Sequence, residues 1–229
     1  MINWDMLPEA AISKLTLVPG SNPLYGLNTL GGALALETKS GRTDPGLELD
    51  ASLGQDGRRR LDLARGAAHA GGWHSFIGAT LFGEQGWRAH SQGRLGNLFL
   101  KVGRDSGRAD WQATLTAGRS RLRGNGLLPD EMAASDWRTA YTFPDETRNN
   151  MLQLAVRGRL RLENNATLSG QVYARTSATR TPSMAMLSRA TTGRKANSIP
   201  PVRACAGQGA SLQWSARRDR HRLDAGCHL

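Results

Sequence analysis

LTLVPGSNPLYGLNTLGGALALETKSG, residues 15–41, is the stretch whose residue order decides the fold. Leu15, Leu17 and Val18 form a short β-prone run that stops at Pro19-Gly20, where proline removes an N–H and glycine accepts a positive φ. Ser21 and Asn22 supply helix-capping oxygens and Pro23 suits a first helical position, but Gly26 and the pair Gly31-Gly32 leave room for only about one turn. Ala33 to Thr38 then resumes as a second strand. The order is strand, glycine-punctuated turn, strand. A phosphate cradle is not the better reading, because the spacing Gly26 to Gly31 is followed by Gly32 and Ala33 rather than by Lys and Ser or Thr.

PGSNPLYGLNTLGGALALETKSG resembles the closing segment of the plug domain of TonB-dependent outer-membrane receptors. That family has a strand, a G-x-S-x-x-YG turn, a GG pair and a strand ending in TK. The matching residues are Gly20, Ser21, Tyr25, Gly26, Gly31, Gly32, Thr38 and Lys39, and Asn3-Trp4-Asp5 with Pro8 to Ile12 fits one subgroup. The resemblance implies that residues 1–41 are the C-terminal remnant of a plug and that 46–229 are the N-terminal part of an outer-membrane β-barrel, truncated. The glycines then read as structural positions, with positive φ or close approach to the barrel wall, and Tyr25 as an anchor for the turn.

The text after Gly46 has period two. Leu47, Leu49, Ala51 and Leu53 alternate with Glu48, Asp50 and Ser52, which sorts an apolar and a polar face on one extended strand. Asp56-Gly57 before a second alternating run at Arg60–Ala67 signals a hairpin. Trp73–Phe82 carries apolar residues on both parities, leaving its outward face open, and Gly78 leaves space for a neighbour. Trp73 and Trp87 bracket that run, as an interfacial girdle requires. Further runs lie at 94–102, 109–118, 151–160, 167–175, 208–215 and 220–226, about nine strands in all. Arg119–Arg148 and Thr176–Gly207 read as long loops. The fold class expected is all-β, a partial antiparallel meander of a transmembrane barrel preceded by a short plug remnant.

The formal charge is +11, with 30 basic and 19 acidic residues, and most of the excess falls after Arg175. Such a charge opens an alternative, a basic soluble β-rich protein that binds nucleic acid or another polyanion. No reader helix or aromatic-basic platform supports it. Cys205 and Cys227 lack a C-x-x-C partner, so a disulfide is open and a zinc site is not indicated. The five histidines show no metal-ligand spacing, and no metal or other cofactor is expected. No nucleophile elbow occurs, and Asp130-Glu131 and Asp145-Glu146 read as solvated loop charge, so the chain does not read as an enzyme.

Met1-Ile2-Asn3-Trp4-Asp5 has no basic or apolar leader, so no signal peptide is expected in this chain. The family's outer-membrane address then makes it an internal piece of a longer protein. The intact receptor would import a scarce ligand, siderophore-like or another small molecule, when TonB pulls the plug. The piece has no TonB box and is not expected to couple or transport alone. Outer-membrane lipid and lipopolysaccharide are the remaining partners expected, and the ligand-binding residues stay unknown.

Overall fold

The computed structural model describes residues 6–20, 31–124, 126–141, 145–162, 166–181, 207–218 and 221–223, the last two stretches by backbone alone. A 3-10 turn, Glu9–Ala11, feeds β1 (Ile12–Pro19), which pairs antiparallel with β2 (Gly32–Thr38). From Gly46 the chain forms one open nine-stranded antiparallel sheet in strict sequence order. Its strands are β3 (Gly46–Leu53), β4 (Arg59–Ala68), β5 (Trp73–Glu84), β6 (Gly93–Asp105), β7 (Ala109–Arg123), β8 (Glu146–Arg161), β9 (Thr167–Arg180), β10 (Gly207–Arg218) and β11 (His221–Leu223). Among the described residues no helix is long and apolar enough to cross a membrane, which says nothing of strands.

The β3–β4 turn shows why the sequence folds as it does. Asp56 and Gly57 have φ of 54° and 67°, and the Arg58 N–H donates to the Gln55 carbonyl at 3.1 Å. Two positive φ values in succession give the turn whose twist matches paired strands. Successive strands are joined across 69–72, 106–108 and 162–166 at one end of the sheet and across 54–58, 85–92 and 124–145 at the other, the end at which β9 also stops and β10 starts. The long connections thus share one end.

Register sorts the two faces. Inward positions on β5 and β6 pair as Phe76↔Lys101, Gly78↔Phe99 and Thr80↔Asn97, and outward ones as Ile77↔Leu100 and Ala79↔Leu98. The face that Trp73–Phe82 left open in the sequence is therefore its odd-numbered one. Beyond them the outward face continues through Leu115↔Leu154 and Ala117↔Leu152, while Gln112, Thr114 and Thr116 point the other way. Leu47 and Leu49 stand 66% exposed, whereas Lys101, Thr80 and Asn97 are buried under the N-terminal segment.

Two strands outrun the alternation seen in the sequence. β7 continues to Arg123 and β8 begins at Glu146, so the loop read at Arg119–Arg148 contracts to 124–145 and holds one short helix, α1 (Asp130–Ser135). β9 likewise runs to Arg180. At these ends both parities are mostly polar, with Leu122 and Ala178 as isolated apolar residues, so hydrophobic period two vanishes although the backbone ladder continues.

Candidate functional site at the inner face of the sheet

The N-terminal segment lies across the inner face and is held by shape and by polar ties. Ala11 is fully buried in a cluster with Ala64, Phe76 and Phe99, with Leu7 and Ala10 at its margin. Phe76 and Phe99 meet edge to face at 6.3 Å. The segment comes this close because the wall lacks side chains where it crosses. A Cβ on Gly78 would sit 3.1 Å from Ala11 Cβ, and one on Gly118 would sit 2.7 Å from Met6 Sδ.

Polar ties flank that cluster. Arg60 of β4 donates to Glu9 at 2.8 Å and to Asp62 at 2.5 Å. Asp62 in turn accepts from the Thr80 hydroxyl at 2.5 Å, and the Thr80 N–H donates to Asn97 Oδ1 at 3.1 Å. On β6, buried Lys101 donates from Nζ to the Thr38 carbonyl at 2.8 Å and to Thr38 Oγ1 at 2.5 Å. Its ammonium also lies 5.6 Å from the Phe99 ring centroid. Lys39 pairs with Glu48 of β3 at 3.0 Å, and its N–H donates to the Ala11 carbonyl at 2.9 Å. Arg42 reaches Asp105 at 2.5 Å. A buried ammonium is tolerated here because the carbonyl and hydroxyl of Thr38 replace part of its hydration.

The residues singled out from the sequence fall as follows. Thr38 and Lys39 are brought to the wall as its polar anchors. Gly20 has φ +86° and Gly32 φ +133°, and a Cβ on Gly32 would meet the Val18 carbonyl at 2.8 Å. At Gly31 φ lies outside the left-handed region and an added Cβ would meet nothing within 4 Å, and it is Gly32 that is paired across from Pro19. Ser21, Tyr25, Gly26, Cys205 and Cys227 lie outside the described residues. Sequence reasoning missed Lys101, Arg60 and Asp62, charged residues inside alternating runs on the parity opposite the leucines. That inward charge was the available signal.

Past the segment, the inner face of β7 to β9 presents Gln112, Gln153, Arg157 and Arg175, with Arg157 donating to Gln112 Oε1 at 2.8 Å. The inner wall in this stretch is polar and basic. Among the described residues no group of His, Cys, Asp and Glu is arranged to hold a metal ion.

Neither a protein-family profile nor a curated protein matches the sequence. Solved structures similar in fold include three outer-membrane receptors. The siderophore receptor PiuA from Acinetobacter baumannii has TM-score 0.64 and 13% identity, over 75% of this chain and 27% of that one. The ferric-catecholate import receptor Fiu from K12 E. coli has TM-score 0.64 and 13% identity, over 90% and 32%. FpvAI, in its complex with pyocin S2, has TM-score 0.56 and 12% identity, over 76% and 25%. The chain spans about a third or less of these structures' length. The fold found is a partial β-barrel similar to that of siderophore receptors, as the resemblance to TonB-dependent outer-membrane receptors implies.

Proposed function

We propose that the chain is the end of a plug, residues 1–41, and the first strands of the surrounding barrel, residues 46–229, of a TonB-dependent outer-membrane receptor for a scarce small ligand. The observation that carries this reading is the occupied inner face. The N-terminal segment fills it through Ala11 and Met6, and is tied through Glu9, Thr38 and Lys39. The hairpin of β1 and β2 leaves Leu15 and Leu17 exposed, which suits a piece that packs against more plug. Nine strands are too few for the roughly 22-stranded ring of such transporters, so transport and TonB coupling are assigned to the intact receptor.

The charge of the wall supports one ligand class. Arg157 and Arg175 face inward beyond the N-terminal segment and are exposed, so an anionic small molecule such as an iron chelate is favoured electrostatically. Titration of the detergent-refolded chain with ferric catecholate and ferric hydroxamate chelates, followed by tryptophan fluorescence, is expected to give saturable quenching. No saturable response to any chelate, together with salt-sensitive binding of duplex DNA, would replace this reading with the polyanion-binding one.

A further inference from the structure

β3 is an outermost strand of the nine-stranded sheet and, among the described residues, pairs with β4 alone. Its far edge therefore presents a row of main-chain N–H and C=O groups without a strand partner. All eight of its residues are exposed. Leu47, Leu49, Ala51 and Leu53 lie on the outward face and Glu48, Asp50 and Ser52 on the inward one. The edge is thus a template of period two with different chemistry on its two sides.

The inward side of that edge carries more negative charge than its neighbours answer. Register sets Asp50 directly opposite Asp62 of β4, and like charges so placed repel. Asp62 is served from its own side, by Arg60 at 2.5 Å and by the Thr80 hydroxyl at 2.5 Å. Asp50 makes no ion pair and no side-chain hydrogen bond among the described residues. Glu48 pairs with Lys39 at 3.0 Å, yet its side chain stays 72% exposed. Glu9 shares Arg60 with Asp62. Four carboxylates, Glu9, Glu48, Asp50 and Asp62, thus share two cations, Lys39 and Arg60, in a chain whose formal charge is +11. Since β4 closes one flank of Asp50, a further cation reaches it from the open one. A second copy of the chain does not supply that cation. Antiparallel pairing of β3 with β3 that keeps the inward faces together sets Glu48 opposite Asp50, or Asp50 opposite Asp50, in the registers of fullest overlap.

We infer that the free edge of β3 takes one further antiparallel strand whose residues alternate apolar with lysine or arginine, the basic ones facing inward opposite Glu48 and Asp50. Its apolar residues continue the face of Leu47 and Leu49, and its main chain completes the ladder. The inference rests on the barrel reading above. Closure of a barrel requires some strand at this position, and Glu48 and Asp50 specify what that strand carries.

The test uses the full chain refolded in dodecyl maltoside micelles, with eight-residue peptides that alternate leucine with lysine, glutamine or glutamate. Amide hydrogen exchange in residues 46–53 is the readout. The lysine peptide is expected to slow exchange there saturably. Its half-saturation should lie at least about fourfold below that of the glutamate peptide, because attraction replaces repulsion at two cross-strand positions, and the glutamine peptide should fall between. Asp50→Lys should invert the order. Its side chain is exposed, a β-type circular dichroism spectrum checks the fold, and the peptide series on wild type stands without it. A lysine peptide N-methylated at alternate residues keeps the charge but loses the ladder, and should slow nothing. Equal slowing by the lysine and glutamate peptides, or slowing by none, overturns the inference. Equal slowing by the N-methylated peptide means adsorption, and by calcium ions alone means a cation site; either overturns it. Protection without peptide that rises with protein concentration assigns the edge to a second copy and overturns it as well. The chelate titration described above uses none of these probes. Loss of chelate binding with strand addition intact refutes the receptor reading, and the converse refutes this one.

Discussion

Replacing Gly78 by Val tests whether the N-terminal segment is packed against the wall. The new Cβ would stand 3.1 Å from Ala11 Cβ and 3.3 Å from Phe76 Cε1, inside the ~3.5–4.0 Å optimum for carbon atoms, before the two methyl groups are counted. If the segment stays, overpacking costs about 1–3 kcal/mol. If it lifts, Ala11 and parts of Phe76 and Phe99 lose burial, which for one phenylalanine is roughly 1.5–3 kcal/mol. Both routes give about 2 kcal/mol, a fall of about 1 M in urea midpoint for an m-value near 2 kcal/mol/M. Gly96→Val is the control, since its Cβ faces outward and meets only Leu81 Cδ2 at 3.5 Å, and β-branched residues suit strands. Urea titration in micelles, followed by tryptophan emission, reads both variants. A Gly78→Val protein as stable as wild type, or an equal loss in Gly96→Val, would refute the packing.

Gly32→Ala should destabilise the β1–β2 hairpin by about 1–3 kcal/mol because of its φ. Gly31→Ala should be neutral or stabilise by about 0.4–1 kcal/mol through the unfolded chain, and amide hydrogen exchange in β1 and β2 separates the two. Lys101→Met removes the donor to the half-buried Thr38 carbonyl and hydroxyl, at about 1 kcal/mol. Faster exchange around Thr38 with unchanged exchange in β8 is the expected signature. Glu146→Gln strips the carboxylate from Arg121, Arg123 and Arg148. Its stability loss should be larger at about 20 mM than at about 500 mM salt, where screening is shorter ranged.

The sequence made the strands legible wherever leucines alternate with polar residues, as at Leu47 to Leu53, and it made the Asp56-Gly57 turn legible from its dipeptide. It could not show which glycine of the pair is strained, because that depends on which one stands opposite Pro19. It placed the charge excess after Arg175, yet the structure collects another basic set from residues far apart in the chain, Arg59, Arg94, Arg121, Arg148 and Arg180. Each of these lies at the long-loop end of its strand. Only the register turns that scattered property into a row. The inward charges were visible as residues but not as partners, since Lys101 meets Thr38 across 63 positions.

The two faces bear on the choice between a membrane wall and a basic soluble sheet, and Arg65 offers a test of it. In a water-soluble sheet the leucine face is covered and the charged face is wet. Here Leu47 and Leu49 are exposed, while Lys101 is 2% exposed beneath the N-terminal segment. Arg65 is the exception on the leucine face, paired between Leu47 and Ile77, about 10 Å from the level of Trp73 at a rise of ~3.3 Å per residue and a strand tilt of about 40°. A lipid-facing arginine costs about 2–4 kcal/mol at midplane and about 0–1 kcal/mol at the interface, so Arg65, about 10 Å into an apolar band about 25 Å high and therefore close to midplane, costs about 2–4 kcal/mol, less what snorkelling toward the near boundary recovers. Arg65→Leu should therefore stabilise the chain by about that amount in lipid bilayers, read as a shift in urea midpoint. If the face meets water, the same substitution leaves the midpoint in bilayers unchanged and lowers solubility in buffer, and the membrane assignment fails with it.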